Sequence, residues 1–194
     1  MKMENSRVIK LKDKMKDYYN KSKSIHEDFG GPSIYFHREC INASKEEYLG
    51  DRHIEMVYAT LTAWGMHKMG KTKTKLVEFK KFKKSILDKK SDLIKLKSIR
   101  LNELEKNKEI IKNIFLELEV SKSNSHIVTN SKTMYHLLWN IIPPIDREHT
   151  IRFFFKKDFL DKNGKWSKNN VSINSLLPKP KRKPEQFDLF WKIL

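Results

Sequence analysis

The stretch DRHIEMVYATLTAWGMHKM, residues 51–69, decides how this chain folds. Ile54, Val57, Tyr58, Leu61 and Trp64 recur at steps of three and four residues, which places them on one face of an α-helix. Asp51 stands where an N-cap carboxylate accepts a first-turn N–H, Glu55 lies in the first turns, and Gly70 closes the run. The stretch reads as one helix with a single apolar stripe, which must be covered by other elements. Because the same period recurs downstream, the expectation is an all-α fold, one compact helical domain over residues 1–194.

Between Val77 and Leu104 the residues Phe79, Phe82, Ile86, Leu93 and Leu96 keep a helical period, while lysines occupy the remaining positions. Ile111, Ile114, Phe115 and Leu118 mark a further helix that ends before the polar run Ser121 to Ser125. Two more helices, Ser131 to Ile142 and Asp146 to Phe159, are expected as a tight pair around Pro143-Pro144, since proline does not continue a helix interior. Upstream, the Gly30-Gly31-Pro32 break precedes a short aromatic helix expected at Ser33 to Cys40. Residues 1–28 read as a basic helical arm with Val8, Ile9, Leu11, Met15 and Tyr18 among the lysines. Residues 160–186 read as a loop-rich basic segment, after which Phe187 to Leu194 folds back onto the body.

Charge is the second constraint. Lys and Arg number 41 against 24 Asp and Glu, a formal net charge of +17, which repels itself and favours an anionic partner. Double-stranded DNA, held through its phosphates with little sequence preference, is the expected partner, and Lys80 and Lys84 on the cationic face are expected contacts. A 34% charged fraction places much of the chain in solvated helix faces, yet four Trp and eleven Phe are enough for a real core. A single cysteine, Cys40, rules out an intramolecular disulfide and a cysteine zinc cluster. No segment resembles a signal peptide, and none approaches the roughly 20 apolar residues that cross a bilayer. A cytoplasmic monomer that contacts no membrane and needs no cofactor is expected.

The stretch most informative about chemistry is Ile127-Val128-Thr129-Asn130-Ser131-Lys132-Thr133, read as a hairpin-like turn into a helix. It is followed by Ile141-Ile142-Pro143-Pro144-Ile145-Asp146-Arg147-Glu148-His149-Thr150-Ile151-Arg152. A carboxylate that follows two prolines and opens a helix is held rigidly and bonded by backbone N–H groups, which keeps it ionised. Placed beside a sugar cation it lowers the barrier to cleaving an N-glycosidic bond, or it orients a water for attack on the sugar carbon. Asp146 fits that description, and it equally fits a plain helix cap. Lys132 is read either as an amine near a positive helix end, able to attack a sugar, or as a phosphate anchor.

These residues resemble the active-site half of the helix-hairpin-helix DNA glycosylases. The resemblance covers residues 127–155 and implies a helix-hairpin-helix-like pair near the C-terminal half. Lys132 matches the family's lysine position and Asp146 its aspartate, while Arg147 and Arg152 match basic residues that follow the aspartate in some members. Asn130 and Ser131, at the expected turn, are DNA contacts on the same reading. Two departures stand out: Thr129 and Asn130 replace the usual hairpin glycines, and Asp146 follows Lys132 by fourteen residues, several fewer than usual.

An extruded base needs stacking and a few polar readers, for which Trp64, His67, Tyr35, Phe36 and His37 are the candidates. The histidines show no compact ligand spacing, so no metal is expected. The sequence thus supports a base-excision enzyme in repair or anti-phage defence, with a non-catalytic hairpin module as the alternative. A magnesium nuclease built on Glu47, Asp51 and Glu55 ranks last.

Overall fold

The computed structural model describes residues 5–28, 31–66, 75–122, 126–146, 150, 154 and 183–194. The fold is all-α. Its helices are α1 (Asn5–Asp13), α2 (Met15–Asp28), α3 (Pro32–Glu46), α4 (Asp51–Leu61), α5 (Phe79–Leu87), α6 (Lys90–Lys97), α7 (Lys108–Glu117), α8 (His126–Leu137) and α9 (Lys183–Ile193). Among the described residues the only β pairing is an isolated bridge between Leu76 and Ser121, flanked by the Val77 N–H to Val120 carbonyl bond at 3.1 Å.

The helical hairpin α3–α4 is the frame. Pro32 opens α3 with its φ already set for a helix and no N–H to satisfy, and Gly31 precedes it in an extended conformation. The turn into α4 passes through Leu49 at φ 62, a left-handed conformation unusual for a side-chain-bearing residue, held because Leu49 is buried and its N–H is bonded by His53 Nδ1 at 3.1 Å. Antiparallel packing follows: the Thr60 hydroxyl donates to the Phe36 carbonyl at 3.0 Å, and the Trp64 indole N–H donates to the Ser33 carbonyl at 3.3 Å.

Helix α8 is the centre of the packing, with α3, α4, α7 and α9 against it. Its first turn is tied from outside, because the Gln186 side-chain oxygen of α9 accepts the Ile127 N–H at 2.9 Å. Phe187 and Phe190 of α9 close the core over Phe115, the 115–190 pair stacking at 5.1 Å. The C-terminal segment does fold back on the body, as Lys183–Ile193.

Several boundaries differ from the sequence expectation. The helix starting at Asp51 does not reach Met69: it ends at Leu61, passes through a wide turn at Thr62–Met66, and breaks where Gly65 adopts φ 77. Gly65 supplies a conformation that other residues avoid, and the expected end at Gly70 lies with residues 67–74 outside those described. Gly50 is the N-cap, and Asp51 is instead paired with Lys83 at 2.7 Å. The stretch 77–104 divides at Asp88–Lys89 into α5 and α6 and then continues as two short 3-10 turns. The Ser33–Cys40 helix runs on to Glu46.

The most consequential difference concerns residues 127–133. Thr129 and Asn130 do not form a turn; they are helical and buried within α8. Asn130 donates to the Phe115 carbonyl at 2.7 Å and its side-chain oxygen accepts the Thr129 hydroxyl at 2.9 Å, so tertiary partners satisfy the polar groups that favour a turn in isolation. Of the helix expected at Asp146 to Phe159, the described residues show the Thr150 N–H to Asp146 carbonyl bond at 3.1 Å. Its remainder, most of the 160–186 segment and the expected pairing of the two helices lie outside the described residues.

Candidate functional site

Three residues of α8, Lys132, Tyr135 and His136, fall within one helical turn and so share a side of the helix. That side faces Trp64, which packs edge-on against His136 just before the break at Gly65. The Lys132 ammonium stands 5.4 Å from the centroid of the Trp64 ring and 3.8 Å from Asp146 Oδ2. The Lys132 side chain is 13% exposed and that of Asp146 39%, so a shielded cation meets a carboxylate half open to solvent.

Position of the carboxylate is set through the backbone. The Ile145 N–H donates to Ser131 Oγ at 3.1 Å, tying the Pro143-Pro144-Ile145 strap to α8 one residue before Lys132. The Asp146 N–H donates to Thr150 Oγ1 at 3.1 Å. Two prolines with fixed φ, a bond into the helix and a bond to the following turn hold the Asp146 backbone in place. Burial lowers the Lys132 pKa below the ordinary lysine value; Asp146 opposes that shift and Lys75 adds to it.

Beside the pair lies an aromatic cluster. His37 stacks on Tyr135 at 5.5 Å with planes 13° apart, and Trp64 stacks on Tyr135 at 6.2 Å. His136 meets Trp64 edge-on at 4.7 Å. The histidines form a hydrogen-bonded chain whose direction their partners determine. The Leu49 amide can only donate, so His53 Nδ1 is the acceptor and its Nε2–H donates to the His136 carbonyl at 3.3 Å. His136 Nδ1–H donates to the Lys132 carbonyl at 2.7 Å, leaving Nε2 to accept from His37 Nδ1 at 3.3 Å. Burial pushes both His53 and His136 down to about 4, so both rings are neutral at pH 7.

The structure thus brings Lys132, Asp146, Trp64 and His37 together. Phe36 is half-buried and uses its carbonyl to hold Thr60, while Tyr35 is 59% exposed and packs edge-on against Phe36. Asn130 and Ser131 are corrected: both are completely buried, so they position α8 and the proline strap and do not touch a phosphate. Lys80 is exposed on α5, and Lys84 is exposed but paired with Asp88 at 2.7 Å. His67, Arg147 and Arg152 lie outside the described residues.

Three members of the cluster were not among the expected residues: His53, Tyr135 and His136. The signal for the last two was the spacing itself, because with Lys132 they recur at three and four residues on one helix. For the nuclease reading, no group of three His, Cys, Asp or Glu side chains able to hold a metal forms among the described residues. No helix among them is long and apolar enough to cross a membrane. Comparison with protein-family models, with curated proteins and with solved structures finds no match for this chain.

Proposed function

We propose that this protein is a DNA glycosylase that displaces a damaged or modified base from duplex DNA and hydrolyses its N-glycosidic bond. The observation that carries the reading is the convergence of Lys132 and Asp146, fourteen residues apart, with the Lys132 ammonium against the ring of Trp64 from the turn that follows α4. A carboxylate fixed by the proline strap stands beside a shielded ammonium and an aromatic wall, the combination that a departing base and a developing sugar cation call for.

In this mechanism the bond from the sugar carbon to the base nitrogen breaks, and its electron pair leaves with the base. Asp146 stabilises the positive charge left on the sugar and accepts a proton from the water whose oxygen bonds to the sugar carbon. Lys132 holds the carboxylate in place. The net charge of +17 supplies attraction to the phosphates. A role in repair, or in stripping modified bases from phage DNA in the cytoplasm, fits this chemistry.

A second reading, a non-catalytic DNA-binding module, is favoured by the 39% exposure of the Asp146 side chain, since an electrostatic catalyst works best where water is excluded. The deciding experiment incubates the protein with genomic DNAs of differing base modification and identifies released bases by mass. Release of a free base from one of them supports the glycosylase. Binding to all of them with release from none supports the module.

A further inference from the structure

The arm at residues 5–28 has a period of its own. Val8, Leu11, Met15, Tyr18 and Ser22 follow one another at alternating steps of three and four residues, the spacing of a heptad seam. Helices α1 and α2 carry that pattern as one helix, because the Lys14 N–H donates to the Lys10 carbonyl at 3.2 Å and the Tyr18 N–H to the Lys14 carbonyl at 3.0 Å. The five residues therefore share one face. The Ser22 hydroxyl is satisfied within the helix, donating to the Tyr19 carbonyl at 2.9 Å. None of the residues from Val8 to Lys23 is buried, and Met15 and Tyr18 are 57% and 42% exposed, so the seam faces solvent.

Charge identifies what the seam fits. Lys14 and Lys21 border it on one side and Lys12 on the other, while Asp13 and Asp17, four residues apart, lie on the opposite face. Among the described residues neither Lys12 nor Lys14 is in an ion pair. A second copy supplies no opposite charge here: antiparallel it sets lysines against lysines, and parallel it sets Lys14 against Tyr19. A bilayer surface calls for a broad apolar face with bulky residues such as Trp and Phe, and residues 5–28 contain neither. DNA phosphates call for the lysines alone and leave the apolar seam without a use.

We infer that α1 and α2 dock a helix of a partner protein whose own apolar heptad seam is bordered by Glu or Asp, forming a two-stranded coiled coil. Val8, Leu11, Met15 and Tyr18 pack into the partner's seam, and Lys12 and Lys14 meet its carboxylates. This interaction is separate from the proposed action on DNA.

The test measures binding of the full chain to three fluorescent helical peptides by anisotropy. One has Leu at the seam and Glu along its borders, one is a scramble of that composition, and one has Lys in place of Glu. Burying a Leu and a Met side chain is worth about tenfold or more in affinity, so wild type is expected to prefer the Glu seam peptide to its scramble by at least that factor. It should leave the Lys peptide unbound. The double variant Leu11→Gln, Met15→Gln keeps good helix formers at exposed positions, so it should melt as wild type does and lose the preference. Lys12→Glu with Lys14→Glu should move the preference to the Lys peptide. Equal binding of the Glu seam peptide and its scramble would reduce the arm to a charged tail and overturn the docking surface, as would a preference that survives in the glutamine variant. The inference also fails if the Glu seam peptide is not bound while the glutamine variant loses binding to phosphatidylserine vesicles or to duplex DNA, because the seam then serves lipid or nucleic acid.

Discussion

The Lys132 ammonium and the Asp146 carboxylate stand 3.8 Å apart, longer than a direct charge-assisted hydrogen bond of about 2.7–2.9 Å. They are an electrostatic pair with room for rearrangement. Asp146→Asn keeps the shape and the backbone bonds to Thr150 while removing the charge. Base release is expected to fall on the order of 100-fold or more. Melting temperature and duplex affinity should stay close to wild type, as checked by scanning calorimetry and anisotropy. Undiminished release would move the chemistry away from Asp146.

Lys132 is poised differently from a free surface lysine. Burial and Lys75 favour its neutral form, and Asp146 favours the charged one. Removing the carboxylate therefore drops the Lys132 pKa further, and amine acylation mapped by mass spectrometry at pH 8 should be faster at Lys132 in Asp146→Asn than in wild type. With the ammonium held by Asp146, borohydride is expected to trap no covalent adduct with DNA, and Lys132→Gln should weaken base release without abolishing it. An adduct present in wild type and absent in Lys132→Gln would make Lys132 a nucleophile.

What the sequence revealed and what it hid follow from the range of the forces involved. Apolar period is a local property, so α4, α5, α7 and the returning segment at Phe187 were legible. Partners distant in sequence were not. Thr129 and Asn130 carry turn chemistry, and the Phe115 carbonyl and Gln186, brought in from other helices, satisfy Asn130 and the Ile127 N–H within the helix. The nearness of Lys132 and Asp146 was suggested only by a resemblance, whereas the bonds of the histidine chain join α3, α4 and α8 and depend on partners distant in sequence. Gly65 was visible as a glycine, but that the helix breaks there, at φ 77, has no mark in the apolar period, which runs on through Trp64.

Asn130 offers a test of that tertiary override. Completely buried and bonded to the Phe115 carbonyl, it leaves an unsatisfied acceptor when replaced by Leu. Asn130→Leu is expected to cost about 1–3 kcal/mol, read as a lower denaturation midpoint. Duplex affinity measured well below that midpoint should not change. A large loss of affinity in a stably folded variant would return Asn130 to the DNA surface.

Salt dependence separates cations that are spoken for from those that are not. Lys81, Lys83 and Lys84 of α5 are paired with Glu119, Asp51 and Asp88, and Lys89 beyond it with Glu117, so few of the α5 lysines are available to phosphates. Affinity for duplex DNA should fall steeply with salt, and Lys80→Ala should reduce the logarithmic slope by roughly one if Lys80 meets a phosphate. Lys84→Ala, whose charge Asp88 already offsets, should change it less. Equal effects at both positions would show that the ion pair dissolves on binding.

The buried histidines predict an acid limit to stability. His53 and His136 are both held down to about 4 in the fold, against 6.5 for an unhindered ring, and the first cause in each is burial. Between those values the unfolded chain binds protons that the folded chain refuses, so stability is complete above about pH 6.5 and is lost as the pH falls towards 4. Each ring contributes at most about 3 kcal/mol to that loss. The melting temperature should therefore decline steadily across this interval, before most carboxylates titrate. Protonation would also put a second hydrogen on His136 Nε2, facing His37 Nδ1 at 3.3 Å, and oblige His37 to change tautomer in order to accept it. His136→Gln removes that proton site while keeping a side-chain amide that can donate to the Lys132 carbonyl. It should melt lower than wild type at pH 7.5 but lose less on acidification to pH 4.5. A wild-type melting temperature that stays flat from pH 6.5 to pH 4.5 would mean that both rings take up protons without opening the cluster, and that the chain from Leu49 to His37 is not held by neutral imidazoles.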